Sequence, residues 1–267
     1  MIQRLLWRFR YYKKWLWIYF YYYSSKIQNR KFFEADIEGV KVKLGFSHPY
    51  QHLMARHLSR GKHESNLLAL WKRESEKLEP GSAVLDIGGY NGVYGLLSAL
   101  VTPDSEIFIF EPDKINTAEI RNNCALNNLK NVAIVALAIS DKTGKAFFRE
   151  HPGGTGGGLL KERENNNFEV DCITVDDWVE KIKKTPSLMK IDIEGAECRA
   201  LFGARKTLEQ TKGLTILLEV HHKSLGRFGD SEEKLFSLIK ELGYKTIFLY
   251  ENELKNKHYY LVVREKE

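Results

Sequence analysis

The chain changes rhythm along its length. From residue 83, short apolar runs alternate with stretches patterned at helical spacing, which predicts strands at 83–87, 107–110 and 132–136 and helices at 93–100 and 114–127. After a break the alternation resumes with strands at 168–173, 188–193, 214–220, 245–249 and 259–263. Helices are expected after Thr174 and over 196–208 and 232–242. Alternation of this kind builds parallel strands joined by right-handed helical crossovers, so the expected fold class is α/β, a doubly wound and mostly parallel sheet.

Upstream the pattern is different. Residues 35–44 alternate around Glu38-Gly39 as a short hairpin. Leu67, Leu68, Leu70 and Trp71 mark a helix that runs toward Leu78 and stops at Pro80-Gly81. Together they predict a small cap or lid at 34–81, ahead of a main domain at 82–267 and behind an arm at 1–33. Residues 151–158 hold five glycines and one proline and are expected to form a mobile loop.

Composition changes this picture in one place. The net charge of +6 suggests a polyanion partner, but eight of the 41 Lys and Arg residues and no acid lie in Met1 to Phe33. The rest carries 33 basic against 35 acidic groups and is poorly suited to nucleic acid. The arm is also dense in Trp, Tyr and Phe between Trp7 and Tyr23. Its uncharged run, residues 15–25, is too short to span a bilayer, which takes ~20 apolar residues. Aromatic rings beside cations suit a membrane interface, so peripheral association through residues 1–25 is one expectation. Packing of the arm on the domain or on a second subunit is another, and single-stranded RNA stacked on the aromatics beside the basic groups is a third. Cys124, Cys172 and Cys198 have neither disulfide-framework nor zinc spacing, which points to a reducing, cytoplasmic location, and no metal site is expected.

The candidate chemistry begins where the first strand of the main domain ends. Asp86-Ile-Gly-Gly-Tyr-Asn-Gly92 is a nucleotide-binding turn, and Glu111 closes the next strand where a carboxylate can accept two ribose hydroxyls. Dinucleotide folds share both features. A carboxylate at Asp86 would repel a pyrophosphate yet can face an ammonium group, which favours S-adenosylmethionine.

These residues belong to a wider likeness. Over residues 81–222 the chain resembles the FkbM-type methyltransferases, through Asp86-Ile-Gly-Gly-Tyr-Asn-Gly-Val-Tyr94, Glu111-Pro112 with Asn123 and Asn127 on one helix face, and Ala138-Ile-Ser140-Asp141 with Gly144. Ile173-Thr-Val-Asp-Asp177 and Lys190-Ile-Asp192-Ile-Glu194-Gly-Ala-Glu197 extend it, followed by Gly203-Ala204 and Glu219-Val-His221. The resemblance implies the seven-strand class I methyltransferase fold, S-adenosylmethionine as cofactor, and O-methylation of a hydroxyl on a sugar, glycan or small-molecule product. It also implies cofactor contacts from Asp86, Gly88, Gly89, Tyr90, Asn91, Glu111, Pro112, Ser140 and Asp192. The family loop reads Gly-Ala-Asn before its last glycine, whereas this chain has Gly88-Gly89-Tyr90 with its asparagine at Asn91.

Methyl transfer from a sulfonium is a direct displacement governed by positioning, and a hydroxyl acceptor also needs a base. His221 is the candidate base, as a neutral imidazole at a strand end, with a purely structural histidine as the alternative. Asp192 and Glu194 would face one way if their strand persisted, and Lys190 shares that face and can pair with them. Glu194 either binds the acceptor or caps the helix beginning at Ala196. The candidate catalytic residues are therefore His221, Glu194 and Lys190. An RNA methyltransferase and a non-catalytic S-adenosylmethionine-binding module are the alternative functions. Asp192-Ile-Glu-Gly195 stands where amino-methylating RNA enzymes carry Asn-Pro-Pro-Tyr, and intact Asp86 and Glu111 argue against a degenerate module.

Overall fold

In the computed structural model, residues 2–149, 157–164, 167–252 and 257–264 are described, with side chains from residue 15 onward except at 252. Helix α1 (Ile2–Ile27), hairpin strands β1 (Phe32–Ile37) and β2 (Val40–Gly45), α2 (Pro49–Leu58) and α3 (Ser65–Ser75) come first. Next are β3 (Ala83–Ile87), α4 (Val93–Val101), β4 (Glu106–Phe110), α5 (Lys114–Leu126) and β5 (Val132–Val135). A smaller sheet is formed by β6 (Ala138–Ile139), β7 (Gly144–Arg149), β8 (Gly158–Leu160) and β9 (Phe168–Ile173). The alternation resumes with α6 (Val175–Ile182), β10 (Pro186–Ile191), α7 (Glu197–Phe202), α8 (Arg205–Gln210) and β11 (Thr215–His221). It closes with α9 (His222–Leu225), α10 (Glu232–Glu241), β12 (Tyr244–Asn252) and β13 (Lys257–Arg264).

Seven strands form the main sheet in the order β12-β13-β11-β10-β3-β4-β5. β13 pairs antiparallel with β11 and β12, and the other pairs are parallel. All five side chains of β3 are buried, as a strand covered on both faces requires. The chain leaves β3 toward β4 on one side and returns as β10 on the other, and that reversal opens a crevice at the carboxyl ends of these strands.

The α/β expectation holds, with local differences. β10 stops at Ile191, two residues early, because Glu194 (φ 55) and Gly195 (φ 106) turn the chain through left-handed backbone. The helix expected over 196–208 is two helices. The Asp176 carboxylate accepts the Lys206 and Thr207 amides (3.0 and 2.8 Å) and so starts a second helix after Gly203-Ala204. The α2 helix, begun by Pro49 behind an His48 cap, has too many polar positions to show a clear apolar face. Of the glycine-rich stretch, residues 151–156 lie outside the described residues, and Gly158 opens β8 instead of belonging to a loop.

The hairpin and α3 share one apolar core with α4: Phe33, Val42, Leu44, Leu68 and Trp71 pack with Leu96 and Leu97. Trp71 Nε1 donates to Tyr94 O (2.9 Å) and Ser98 Oγ (2.8 Å) within it. The arm packs on the cap. Tyr22 OH donates to Ser47 O (2.8 Å), Ser25 Oγ lies 2.8 Å from His52 Nε2, and the Trp15 ring meets Tyr50 edge-on at 4.9 Å.

Two asparagines of α5 bind the hairpin to the sheet. Asn123 Oδ1 accepts the Gly45 amide (2.7 Å) while its Nδ2 donates to Asn91 O (2.9 Å), and Asn127 exchanges bonds with Lys43 N and O. Asn123 is fully buried and joins three elements. Asn123→Ala should therefore lower unfolding free energy by about 2–3 kcal/mol in urea titration, and Asn127→Ala, at a more exposed position, by about 1 kcal/mol.

Candidate active site

The crevice is floored by the turn after β3. The Gly88 and Gly89 amides both donate to Phe110 O at 3.0 Å, which ties the turn to β4, and the Asp192 amide donates to Ile87 O (3.0 Å), which ties it to β10. Gly88 has φ 87, and a Cβ there would stand 1.9 Å from Asp192 O. The glycine is needed so that the ends of β3 and β10 can meet. Asn91 Oδ1 accepts the Val93 amide (3.2 Å), so that side chain serves the start of α4.

Glu111 is buried at the end of β4. Its two oxygens accept the Tyr90 amide (2.8 Å) and the Asp113 amide (2.9 Å), which fixes the carboxylate plane against the cavity. Burial pushes its carboxyl up to about 7 against the pull of those amides. Asp86 stands behind the cavity wall. One oxygen accepts the Gly95 amide (2.9 Å), and the other is buried with no hydrogen-bond partner among the described residues. Burial raises the Asp86 carboxyl although Lys190 and the Gly95 amide oppose it.

One cavity of about 1150 Å³ of open space runs from this turn to a second, densely charged end. Gly88, Gly89, Tyr90, Asn91, Glu111 and Pro112 line the first end. Glu64, Lys190, Asp192, Glu194, Glu219 and Lys257 line the other. Lys190 Nζ donates to Asp192 Oδ2 (2.8 Å) and lies 4.7 Å over the Tyr94 ring. Lys257 Nζ pairs with Glu194 (3.2 Å) and with Glu219. Glu64 accepts from Tyr94 OH (2.9 Å) and lies 3.1 Å from His63, whose contact outweighs burial and holds the carboxyl at about 2. Burial would raise Asp192 and Glu194, but Lys190 and Lys257 hold Asp192 low, and His221 and Lys257 do the same for Glu194. Glu219 is raised by burial and by Asp192.

Three sequence expectations are corrected here. His221 is not on the cavity wall and is not a neutral imidazole. Its Nδ1 lies 2.6 Å from Glu197 Oε1, and its Nε2 lies 3.1, 3.4 and 3.7 Å from Glu219, Glu194 and Asp192. Burial alone would lower its pKa, but the carboxylates of Glu194, Glu197 and Glu219 push it up to about 12. Ser140 also misses the wall, its hydroxyl donating to Asp141 Oδ1 (3.0 Å), while Leu137, Ala138 and Ile139 face the cavity instead. Glu194 does not cap α7, which begins at Glu197 behind Ala196 with no side-chain cap bond.

Sequence reasoning missed Glu64, Lys257, Glu197 and Glu219 as members of this constellation, the last of them seen only inside the Glu219-Val-His221 motif. Glu64 arrives from the cap and Lys257 from the far end of the chain, and nothing local marks either. Glu197 was visible only as part of a motif, although its carboxylate, fully buried, also accepts the Gly195 amide (2.9 Å).

A histidine enclosed this way stays protonated. Both ring nitrogens of His221 should read as N–H in nitrogen-resolved NMR at pH 9. Its stabilising contribution should be complete below the ordinary value near 6.5 and gone once pH has risen through about 12. His221→Gln should cost about 3–5 kcal/mol of stability at pH 7, since it leaves buried carboxylates uncompensated. A single ring N–H at neutral pH would overturn this assignment.

Comparison with known proteins adds four findings. The family description "Methyltransferase FkbM domain" matches residues 86–246. The 2-O-methyltransferase NoeI of Sinorhizobium fredii is 27% identical over 154 residues, which cover 50% of this chain and 62% of that protein, less than two thirds of its length. A putative sam-dependent methyltransferase from Streptococcus mutans superposes with a TM-score of 0.52 at 10% identity, covering 87% of this chain and 55% of that one. A SAM-dependent methyltransferase from Agrobacterium tumefaciens gives 0.50 at 13% identity, covering 88% and 71%. At these identities the two structures speak for the fold alone.

Proposed function

The chain belongs to the FkbM methyltransferase domain family, and we propose that it transfers the methyl group of S-adenosylmethionine to a hydroxyl of a glycan or small molecule. The observation that carries the reading is the single cavity with two chemically different ends. At the turn end, the Glu111 carboxylate, held by the Tyr90 and Asp113 amides and by the Asn116 side chain, lines the cavity within reach of ribose hydroxyls, and Asp86 puts a carboxylate with one oxygen unpartnered among the described residues beneath the turn. Both features fit a cofactor with a ribose and an ammonium group. The bound cofactor supplies the electrophilic methyl.

The chain's own residues do the rest. Glu194 and Asp192 are placed to orient acceptor hydroxyls, with Lys190 and Lys257 fixing the carboxylates. Glu219 is the proposed proton acceptor, because it lines the cavity and is the carboxyl at that end held above its ordinary range. His221 remains a cation throughout and positions Glu194 and Glu219. The relative NoeI, a 2-O-methyltransferase, directs the proposal toward a hydroxyl acceptor. Peripheral attachment of residues 1–25 at a cytoplasmic membrane face belongs to the same proposal. Among the described residues no helix is long and apolar enough to cross a membrane.

Incubation with labelled S-adenosylmethionine and extract from the native cell should move label into saccharide, and label found only in RNA would overturn the proposal. Cofactor affinity tests Glu111 separately. Its ionised form accepts two hydroxyls, and with the carboxyl at about 7 that form declines as pH falls. Lowering pH from 8 to 6 should weaken S-adenosylmethionine binding about tenfold in calorimetry, and Glu111→Gln should bind weakly at both pH values. A wild-type affinity independent of pH would remove Glu111 from the cofactor site.

A further inference from the structure

Over its described side chains, residues 15–27, helix α1 has two apolar faces and the domain covers only one. Ile18, Tyr22 and Ser25 face inward, where Tyr22 and Ser25 hold Ser47 and His52. On the opposite strip, Leu16 is 70% exposed, Phe20 60%, Tyr23 57% and Ile27 86%, with Trp17 at 55% beside them. Positions 16, 20, 23 and 27 recur at helical spacing and make one continuous stripe.

Charge selects what covers the stripe. The arm carries Arg4, Arg8, Arg10, Lys13, Lys14 and Lys26, and the chain has no acid before Glu34. Trp and Tyr rings settle at headgroup depth, and clustered cations draw anionic lipid. A second copy seated here would bring two such clusters together. Leu16 and Ile27 have no flat face on which a base could stack.

The stripe also bears on the cavity. α1 rests on α2, with the Arg56 guanidinium 3.9 Å from the centre of the Tyr21 ring, and α2 places Met54 and Leu58 on the cavity wall. We propose that α1 lies flat in the headgroup layer of an anionic membrane, with Leu16, Phe20, Tyr23 and Ile27 inserted. The cavity then stands one helix away from that surface, and its acceptor is a saccharide carried on a membrane lipid. The acceptor half rests on the methyltransferase reading above, and the membrane half does not.

Sedimentation with phosphatidylcholine vesicles containing 30% phosphatidylglycerol tests the membrane half without turnover. The full chain should pellet with these vesicles and not with pure phosphatidylcholine, and half-molar salt should release it. Phe20→Ser with Leu16→Ser should lower the partition coefficient at least about tenfold while Tm changes little, because both side chains are mostly exposed and Phe20 touches only other rings of α1. Retention of the chain in the supernatant, equal pelleting of the double variant, or a dimer in light scattering that the double variant dissolves would each overturn the proposal. For the acceptor, label from S-adenosylmethionine should enter the chloroform–methanol extract of native membranes as saccharide. Label confined to water-soluble saccharide overturns the acceptor half alone. Absence of label from every fraction overturns the methyltransferase reading, and sedimentation still decides the membrane half.

Discussion

The structure turns on the compensation of buried carboxylates at one end of the cavity. Glu64, Asp192, Glu194, Glu197 and Glu219 converge there, and each would cost several kcal/mol if left alone. His63 stands beside Glu64, and three cations answer the other four: Lys190 on β10, His221 on β11 and Lys257 on β13. The reversed direction of β13 is what makes this workable, since its first residue, Lys257, pairs in register with His221, the last residue of β11. A parallel strand in that position would carry its first residue to the opposite edge of the sheet.

The surplus of acid over base has a chemical use. With Glu64 paired to His63, the other four carboxylates face three cations, so one carboxyl is pressed to resist ionisation, and burial beside Asp192 assigns that to Glu219. Asp192, facing Lys190 and Lys257, is instead a poor base and a steady hydrogen-bond acceptor. Different surroundings thus divide like residues into a proton carrier and fixed acceptors. The turn end is separate in its chemistry but mechanically joined to the cap, because Asn123 holds both Asn91 of the turn and Gly45 of the hairpin.

Much of this was legible in the residues. Alternating apolar runs gave the sheet, and an acid at the end of the second strand of the main domain gave Glu111, because both signals are local. What failed depended on contacts between distant segments. Glu64 and Lys257 have meaning only after α3 has packed on α4, which brings the residue before it to the cavity, and β13 has paired with β11. His221 was a different failure, since Glu219 lies two residues before it on the same strand and shares its face. That neighbour alone argued against a neutral imidazole. The arm was posed as an anchor, a packing element or a stacking surface for RNA, but a helix apolar on two faces can pack with one and leave the other bare.

Charge is sorted along the molecule in a way that suits the proposed acceptor. The cavity's far end is rich in acid, which hydrogen-bonds hydroxyls and repels phosphate, and the arm one helix away is wholly basic. In that proposal, a saccharide carried on an anionic lipid would meet both fields at once. Its headgroup would be drawn to the arm and its sugar hydroxyls to the carboxylates, so the gradient would favour entry of the sugar end into the cavity. RNA also offers hydroxyls, but it carries a phosphate beside every ribose, so the acidic field that accepts a neutral sugar repels the backbone that would have to enter with it.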